Sequence, residues 1–236
     1  MIAKYVALGV TLALALYTTL PATQSVGEPE LRVFLLVDAS YASDADYGSE
    51  PARANFREIH RGMKWKSLPV SYVINPRNPF GLSEEFVTSA ISAAAEEWDY
   101  HTSAELFDDK YSVDYNESVG RDGRNALVFG DYDREGVVAV AYVWGYFTAP
   151  PEDRYIIEFD VMFDIDYVWG NADENPNVMD LQNVATHEIG HGIGLDDLYG
   201  RNASEETMYG YTTYGETKKR TLHTGDIAGV QYLYGE

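Results

Sequence analysis

Apolar and polar residues alternate in several stretches of the chain, with the period of two that is typical of β-strands. The stretch "YIIEFDVMFDID", residues 155–166, alternates most regularly. One side of this strand would carry the apolar residues Ile157, Phe159, Val161, Phe163 and Ile165. The opposite side would carry acidic residues, among them Glu158, Asp160, Asp164 and Asp166. This pattern predicts one sheet with one face on a core and one face in contact with water.

Further strands are predicted where short runs are rich in Val, Ile, aromatic and small residues. They lie within residues 31–37, 69–75, 125–130 and 136–147. The first of these lies far ahead of the others in the chain, in a region that is otherwise charged and rich in Ala and Gly.

Helical spacing of apolar residues appears in three other segments. The first lies within residues 82–102, where Ser83 can cap the helix. The second covers residues 181–194 with Asp180 as its cap, and the third closes the chain with Thr224 as its cap. The order strand, helix, several strands, helix, irregular segment, helix predicts an α/β or α+β layer arrangement.

The N-terminus has the layout of a secretory signal. Lys4 precedes an apolar run over residues 5–20, which is short for a membrane-spanning helix. We expect residues 1–23 to form a signal peptide or signal anchor, so that the protein is secreted or held at the outer face of a membrane. Residues 24–62 are expected to form a leader, or pro-segment, and linker, and residues 63–236 one globular domain.

Composition excludes several classes of partner and site. The 236 residues include no cysteine and carry a formal net charge of −21. Disulfides and thiolate zinc ligands are therefore absent. Nucleic acid and anionic membranes are excluded as partners, because both require clustered Lys and Arg.

The segment "HEIGHGIGLDD", residues 187–197, carries the candidate chemistry. On a helix His187 and His191 project from one face, one turn apart, and can bind one zinc ion. Glu188 is rotated away from that pair yet is near enough to reach a water on the metal, as a general base does. A chain that reverses at Gly194 can bring Asp197 to the same ion as the third ligand.

With Asp in the last position, this segment resembles the metzincin signature H-E-x-x-H-x-x-G-x-x-H/D, and the chain is similar to the matrixin-like branch of that group. "WKSLPVSYVIN" resembles the start of a matrixin catalytic domain, "LSEEFVTSAISAAAEEWDYHT" its first helix, and "DIAGVQYLYG" its closing helix. "ETMYGY" supplies Met208, the methionine of the Met-turn that lies beneath the zinc. The resemblance implies a metzincin-like fold over residues 63–236: a twisted, mixed, mostly parallel sheet packed with helices.

The resemblance also implies the activity. The protein would be a monomeric zinc endopeptidase with Glu188 as general base, acting on proteins or peptides that lie extended along an edge strand. The irregular residues 209–220 would shape the pocket beyond the cut bond. A structural Ca²⁺ is a second expectation, because residues 131–136 resemble half of an acidic calcium loop, although Tyr142 stands where such a loop needs a glutamate.

The chain departs from the matrixin pattern at several positions. Matrixins use a third histidine where this chain has Asp197, so Asp196 and His223 remain alternative ligands. The cysteine that silences matrixin zymogens has no counterpart, and an acidic leader residue such as Asp38 or Asp44 is a candidate substitute.

The tyrosine that some metzincins place two residues after the Met-turn methionine is replaced by Gly210, so neither Tyr209 nor Tyr211 is assigned a catalytic role.

Two other interpretations stay open. A gluzincin-type peptidase would take its third ligand from Glu205 or Glu206. A non-catalytic metal-binding or adhesive domain would retain the fold without using Glu188 as a base.

Overall fold

The computed structural model describes residues 27–42 and 56–236. The predicted signal segment at residues 1–23 lies outside the described residues, as does Asp44. In the part of the chain that is described, no helix has both the length and the apolar character needed to cross a membrane.

Nine strands build the sheets in the described part of the chain. In chain order they are β1 (Glu30–Asp38), β2 (Val73–Ile74), β3 (Ser112–Val113), β4 (Ala126–Gly130), β5 (Val137–Gly145), β6 (Ile156–Asp164), β7 (Trp169–Gly170), β8 (Met179–Asp180) and β9 (Tyr211–Thr212). Seven form one sheet in the order β3-β2-β4-β6-β5-β1-β9, and β7 pairs with β8. In the larger sheet β5 is antiparallel to both neighbours and the other pairings are parallel. The predicted mixed, mostly parallel sheet is confirmed.

Within residues 27–42 and 56–236, three α-helices accompany the sheet. They are α1 (Glu84–Asp99), α2 (Leu181–Gly192) and α3 (Thr224–Tyr234). Ser83 and Asp180 cap α1 and α2 as predicted, each accepting a hydrogen bond from a backbone N–H of the first turn. The cap predicted for α3 is wrong by one residue, since His223 is the N-cap and Thr224 begins the helix. Helix α2 packs on α1 and on strands β5 and β6, so the fold class is α/β as expected.

The acidic side of β6 is buried, and the prediction of a wet face is wrong for this strand. Glu158 is 2% exposed and Asp160 is 0% exposed. The segment before β4 crosses this face, and the backbone N–H groups of Gly120 and Ala126 each donate to Asp160 at 2.8 Å. Burial raises the pKa of Asp160 to about 7. Alternation along a strand shows which side chains share a side but not which segment covers that side.

The same backbone contacts predict the cost of removing this carboxylate. We expect Asp160→Ala to lower the free energy of unfolding by about 1–3 kcal/mol, because one buried and one partly buried backbone N–H lose their acceptor. Urea unfolding measures the change. Asp133→Ala at an exposed turn is the control and should stay within about 0.5 kcal/mol of wild type. An equal loss in both variants would contradict the assignment.

Strand β1 comes from the segment that the sequence assigns to a leader. The predicted strand at residues 31–37 is observed as Glu30–Asp38. It pairs with β5 on one side and with β9 on the other. Part of the expected leader is therefore built into the main sheet.

Helix α2 approaches its neighbours very closely at two glycines. A Cβ at Gly190 would collide with the side chain of Met208 and would lie 2.8 Å from the ring of Trp98. A Cβ at Gly192 would lie 2.7 Å from the ring of Phe159. Glycine is thus required here by packing, although it is a poor helix former.

This close packing reverses the sign that helix propensity alone would predict. Alanine stabilises a helix by about 1 kcal/mol relative to glycine. We nevertheless expect Gly190→Ala to destabilise the protein by about 1–3 kcal/mol, because the added methyl group overpacks the core. Thermal unfolding measures the effect, and an unchanged or higher midpoint would rule out this explanation. In a Met208→Ala background the loss should be smaller, since one colliding side chain is removed.

Candidate metal centre

Two histidines on α2 present their outer nitrogens to one buried space. His187 and His191 are both 0% exposed, and their ring centroids lie 5.0 Å apart. His187 Nδ1 lies 2.7 Å from the carbonyl oxygen of Thr207, and His191 Nδ1 lies 2.8 Å from that of Leu195. A carbonyl only accepts, so each Nδ1 carries the proton and donates. Each Nε2 is then left with a lone pair, which is the state that binds a metal.

The turn after α2 brings a carboxylate to the same space. Gly194 has a φ of +112°, in the left-handed region that favours glycine, and its N–H donates to the carbonyl of His191 at 3.0 Å. Asp197 follows three residues later and is 3% exposed. Its Oδ1 lies 3.3 Å from His187 Nε2 and 3.6 Å from His191 Nε2.

These distances fit a tetrahedral zinc ion. Zinc bonds of about 2.0–2.1 Å place the ligand atoms of an ideal tetrahedron about 3.4 Å apart. The Nε2 atoms of the two histidines and Oδ1 of Asp197 can only accept hydrogen bonds. Within the described residues, none of these three atoms has a hydrogen-bond donor. Three buried acceptors that face one another are stabilised by a cation between them. The donor set and its geometry therefore suit zinc.

Burial and local charge act on each ionisable group of the centre. Burial lowers the pKa of His191 to about 4, which keeps this ring neutral. The pKa of Asp197 lies below its ordinary value although burial opposes ionisation, and the hydroxyl of Tyr199 favours the charged form by donating to this carboxylate. Burial and the nearby Asp197 carboxylate raise the pKa of Glu188 well above its ordinary value.

Glu188 differs from the other buried acids of the protein. It is 0% exposed, and among the described residues neither of its carboxylate oxygens has a hydrogen-bond partner. By contrast, the buried Asp160 accepts two backbone N–H groups. A buried carboxylate without a hydrogen-bond partner does not stabilise the fold. Its position beside the candidate metal centre therefore points to a chemical role.

The alternative ligands named from the sequence lie elsewhere. Asp196 forms an ion pair with Arg57 at 3.4 Å. His223 caps α3 and contacts Glu206 at 3.1 Å, and Glu206 in turn accepts the N–H of Gly225. Glu205 is an exposed residue paired with Lys218. None of these residues belongs to the cluster formed by the two histidines and Asp197.

A tyrosine that sequence reasoning missed supports the third carboxylate. The hydroxyl of Tyr199 donates to Asp197 Oδ2 at 3.0 Å, which leaves Oδ1 for the metal space. Gly210 makes room for this arrangement, because a Cβ there would crowd the Tyr199 ring and would lie 3.1 Å from Asp197 Oδ1. The only sequence signal was the position of Tyr199 two residues after the ligand.

A second missed residue, Asp226, fixes the Met-turn. Its carboxylate accepts the backbone N–H groups of Thr207 at 2.6 Å and Met208 at 3.0 Å. Since the Thr207 carbonyl holds His187, this carboxylate on α3 orients a metal-site histidine through the backbone. Met208 itself lies against Gly190 beneath α2.

Another acidic cluster lies at the end of β6. Carboxylate oxygens of Asp131, Asp164 and Asp166 lie within 4.8 Å of one another. Two of these residues are outside the predicted calcium loop at residues 131–136, and Asp164 Oδ1 already accepts the N–H of Asp166 at 3.1 Å. The structural Ca²⁺ expected from the sequence stays a prediction.

Comparison with known proteins gives the same family throughout. The chain matches the matrixin family model, Peptidase_M10, over residues 64–235. It is 31% identical to Metalloendoproteinase 2-MMP of Arabidopsis thaliana over 171 residues, which cover 70% of this chain and 41% of that protein. It is 29% identical to Matrix metalloproteinase-16 of Homo sapiens over 182 residues, 74% of this chain and 28% of that protein.

A third relative, Neutrophil collagenase of Homo sapiens, is 29% identical over 182 residues, 73% of this chain and 33% of that protein. The chain thus spans less than half the length of each of these three relatives. The family match covers most of the chain and includes the whole metal centre. The chain therefore belongs to the matrixin family.

Proposed function

We propose that this protein is a zinc-dependent endopeptidase that hydrolyses peptide bonds in proteins or peptides. The observation that carries the proposal is a three-atom metal site beside the unpartnered, buried carboxylate of Glu188. Three protein ligands leave an open position for water or substrate, which is the property of a catalytic zinc site. Membership of the matrixin family supports the same activity.

His187, His191 and Asp197 would hold the zinc through two Nε2 atoms and one Oδ1 atom. The carbonyls of Thr207 and Leu195 keep both rings in the tautomer that binds a metal. When bound, zinc supplies a Lewis acid that polarises the scissile carbonyl and acidifies a water molecule.

Glu188 would act as the general base and then as the general acid. Its carboxylate accepts a proton from the attacking water and delivers this proton to the nitrogen of the leaving amine. The low polarity around Glu188 raises its pKa, and this favours a group that must hold a proton between these two steps.

A non-catalytic metal-binding domain explains the site less well. Such a domain would have no use for the base at Glu188, and it would close the coordination sphere with a fourth side chain. Within the described residues, the metal cluster contains only His187, His191 and Asp197. Secretion or anchoring at a membrane surface remains our prediction from the N-terminal sequence.

The role of Glu188 is tested by Glu188→Gln, which preserves shape and removes the base. We expect the variant to retain about one zinc per chain, while cleavage of casein falls by about 10²–10⁴-fold, the usual contribution of a general base. Zinc content is measured by atomic spectroscopy and cleavage by release of labelled peptides. Glu205→Gln, at an exposed site, is the control. Cleavage by Glu188→Gln at the same measurable rate as the control would refute the mechanism.

The support that Tyr199 gives to Asp197 is tested by Tyr199→Phe. We expect zinc affinity to weaken by about 10–100-fold, because partners that orient a metal ligand contribute on this scale. Competition with a chelating dye at fixed pH measures the affinity. Tyr232→Phe, on the exposed side of α3, should bind zinc like the wild type. Equal affinity in the two variants would show that the Tyr199 hydroxyl does not position Asp197.

A further inference from the structure

Strand β1 occupies a slot between β5 and β9. It runs antiparallel to β5, with cross-strand pairs from Glu30–Gly145 to Val37–Val137, and parallel to β9 at Val37 and Asp38. The N–H of Val37 donates to the carbonyl of Gly210 at 3.2 Å, and that of Asp38 to Gly136 at 2.9 Å. The backbone hydrogen-bonding groups that an added peptide strand would use are therefore already paired.

The inner side of β1 faces the metal centre. The ring of Phe34 stacks on the imidazole of His191, with centroids 4.3 Å apart and planes inclined by 14°. Leu36 is 0% exposed and belongs to the main core. On the outer side Leu31 and Val33 are 46% and 43% exposed. The strand therefore covers the centre with apolar side chains of its inner side.

The catalytic groups are enclosed while β1 is in this slot. His187, Glu188 and His191 are each 0% exposed, and Asp197 is 3% exposed. A peptide bond that is to be cut must contact the metal and Glu188, so something has to move away first. Strand β1 is the described element that would move. Its Phe34 ring stacks on His191, and the strand lies ahead of residues 64–235, the part matched to the matrixin family.

We propose that Glu30–Asp38 occupies the peptide-binding cleft of this enzyme and holds it inactive until the strand is displaced. This proposal rests on the proposed peptidase function. A substrate backbone would replace β1 between β5 and β9, in the same direction, and would present side chains at the places of Phe34 and Leu36. Inhibition thus comes from strand pairing and apolar burial, which suits a chain without cysteine.

The structure gives the acidic leader residue Asp38 a local role instead. Its carboxylate accepts the N–H of Ser40 at 2.9 Å and caps the short turn Ala39–Tyr41. The inhibitory contact is therefore assigned to the inner apolar residues of β1 and not to this carboxylate.

The first test loosens β1 in the full chain. Phe34→Asp with Leu36→Asp changes the inner side, and Leu31→Asp with Val33→Asp is the matched control on the outer side. We expect the inner pair to raise casein cleavage by at least about tenfold over the control, because the open fraction sets the apparent affinity. Affinity for a peptide hydroxamate, which chelates zinc at an open position, should rise equally. Intact mass confirms that uncut chains are compared, and circular dichroism confirms that they fold.

A second test locks β1 without changing its inner side. Val33 and Tyr142 face each other across β1 and β5, and facing residues of antiparallel strands lie about 4.5–5.5 Å apart, within reach of a disulfide. The chain has no cysteine, so Val33→Cys with Tyr142→Cys can form one intramolecular bridge. We expect oxidation to lower both the rate of casein cleavage and the affinity for the hydroxamate. Each should fall at least about tenfold relative to the same chain reduced with a phosphine.

The hydroxamate separates this proposal from the peptidase function. If the loosened chain binds the hydroxamate tightly but cuts nothing, β1 does cover the metal centre and the peptidase function fails. If hydroxamate binding is the same in the wild type, the inner-pair chain, the outer-pair control and both states of the locked chain, the strand does not guard the centre and the proposal is overturned. If the inner pair does not fold, the locked chain decides between these results.

Discussion

Three buried lone pairs that face one another are the constraint on which this structure depends. Two imidazole nitrogens and the Asp197 carboxylate oxygen converge where water cannot solvate them. Such a group is unfavourable by itself and becomes favourable around a divalent cation, so metal binding and the local fold are coupled. Several features of the surrounding structure hold these three atoms in place: the glycines of α2, the turn at Gly194, and the carboxylate of Asp226.

An aspartate as third ligand would alter the surroundings as well as the charge of the centre. A carboxylate has a second oxygen that needs a donor, and the Tyr199 hydroxyl supplies it. The ring of Tyr199 takes space that is available because Gly210 has no side chain. The aspartate, the tyrosine and the glycine therefore form one unit. As a zinc ligand, the aspartate would neutralise more of the metal's charge than a third histidine would.

Strand pairing on β5 would link the fold to control of access to the metal site. An exposed strand edge pairs with any extended chain of suitable shape, and a peptidase uses this property to bind its substrate. Here β1 pairs with β5 in that way, and Phe34 stacks on the imidazole of His191. In the proposed inactive state β1 both pairs with the backbone of β5 and covers the site beside Glu188.

Local sequence patterns were sufficient to predict the elements that form by contacts within a few residues. Helical spacing and capping residues located α1 and α2, and the i, i+4 pair with Gly194 pointed to a site that includes Asp197. The buried acids of β6, the link from Asp226 to His187, and the place of β1 could not be predicted in this way. Each depends on which distant segment covers a given surface, and a periodic pattern does not contain that information. The sequence alone thus pointed to the candidate donor residues and to the helix that carries two of them, whereas tertiary packing decided what surrounds, orients and covers them.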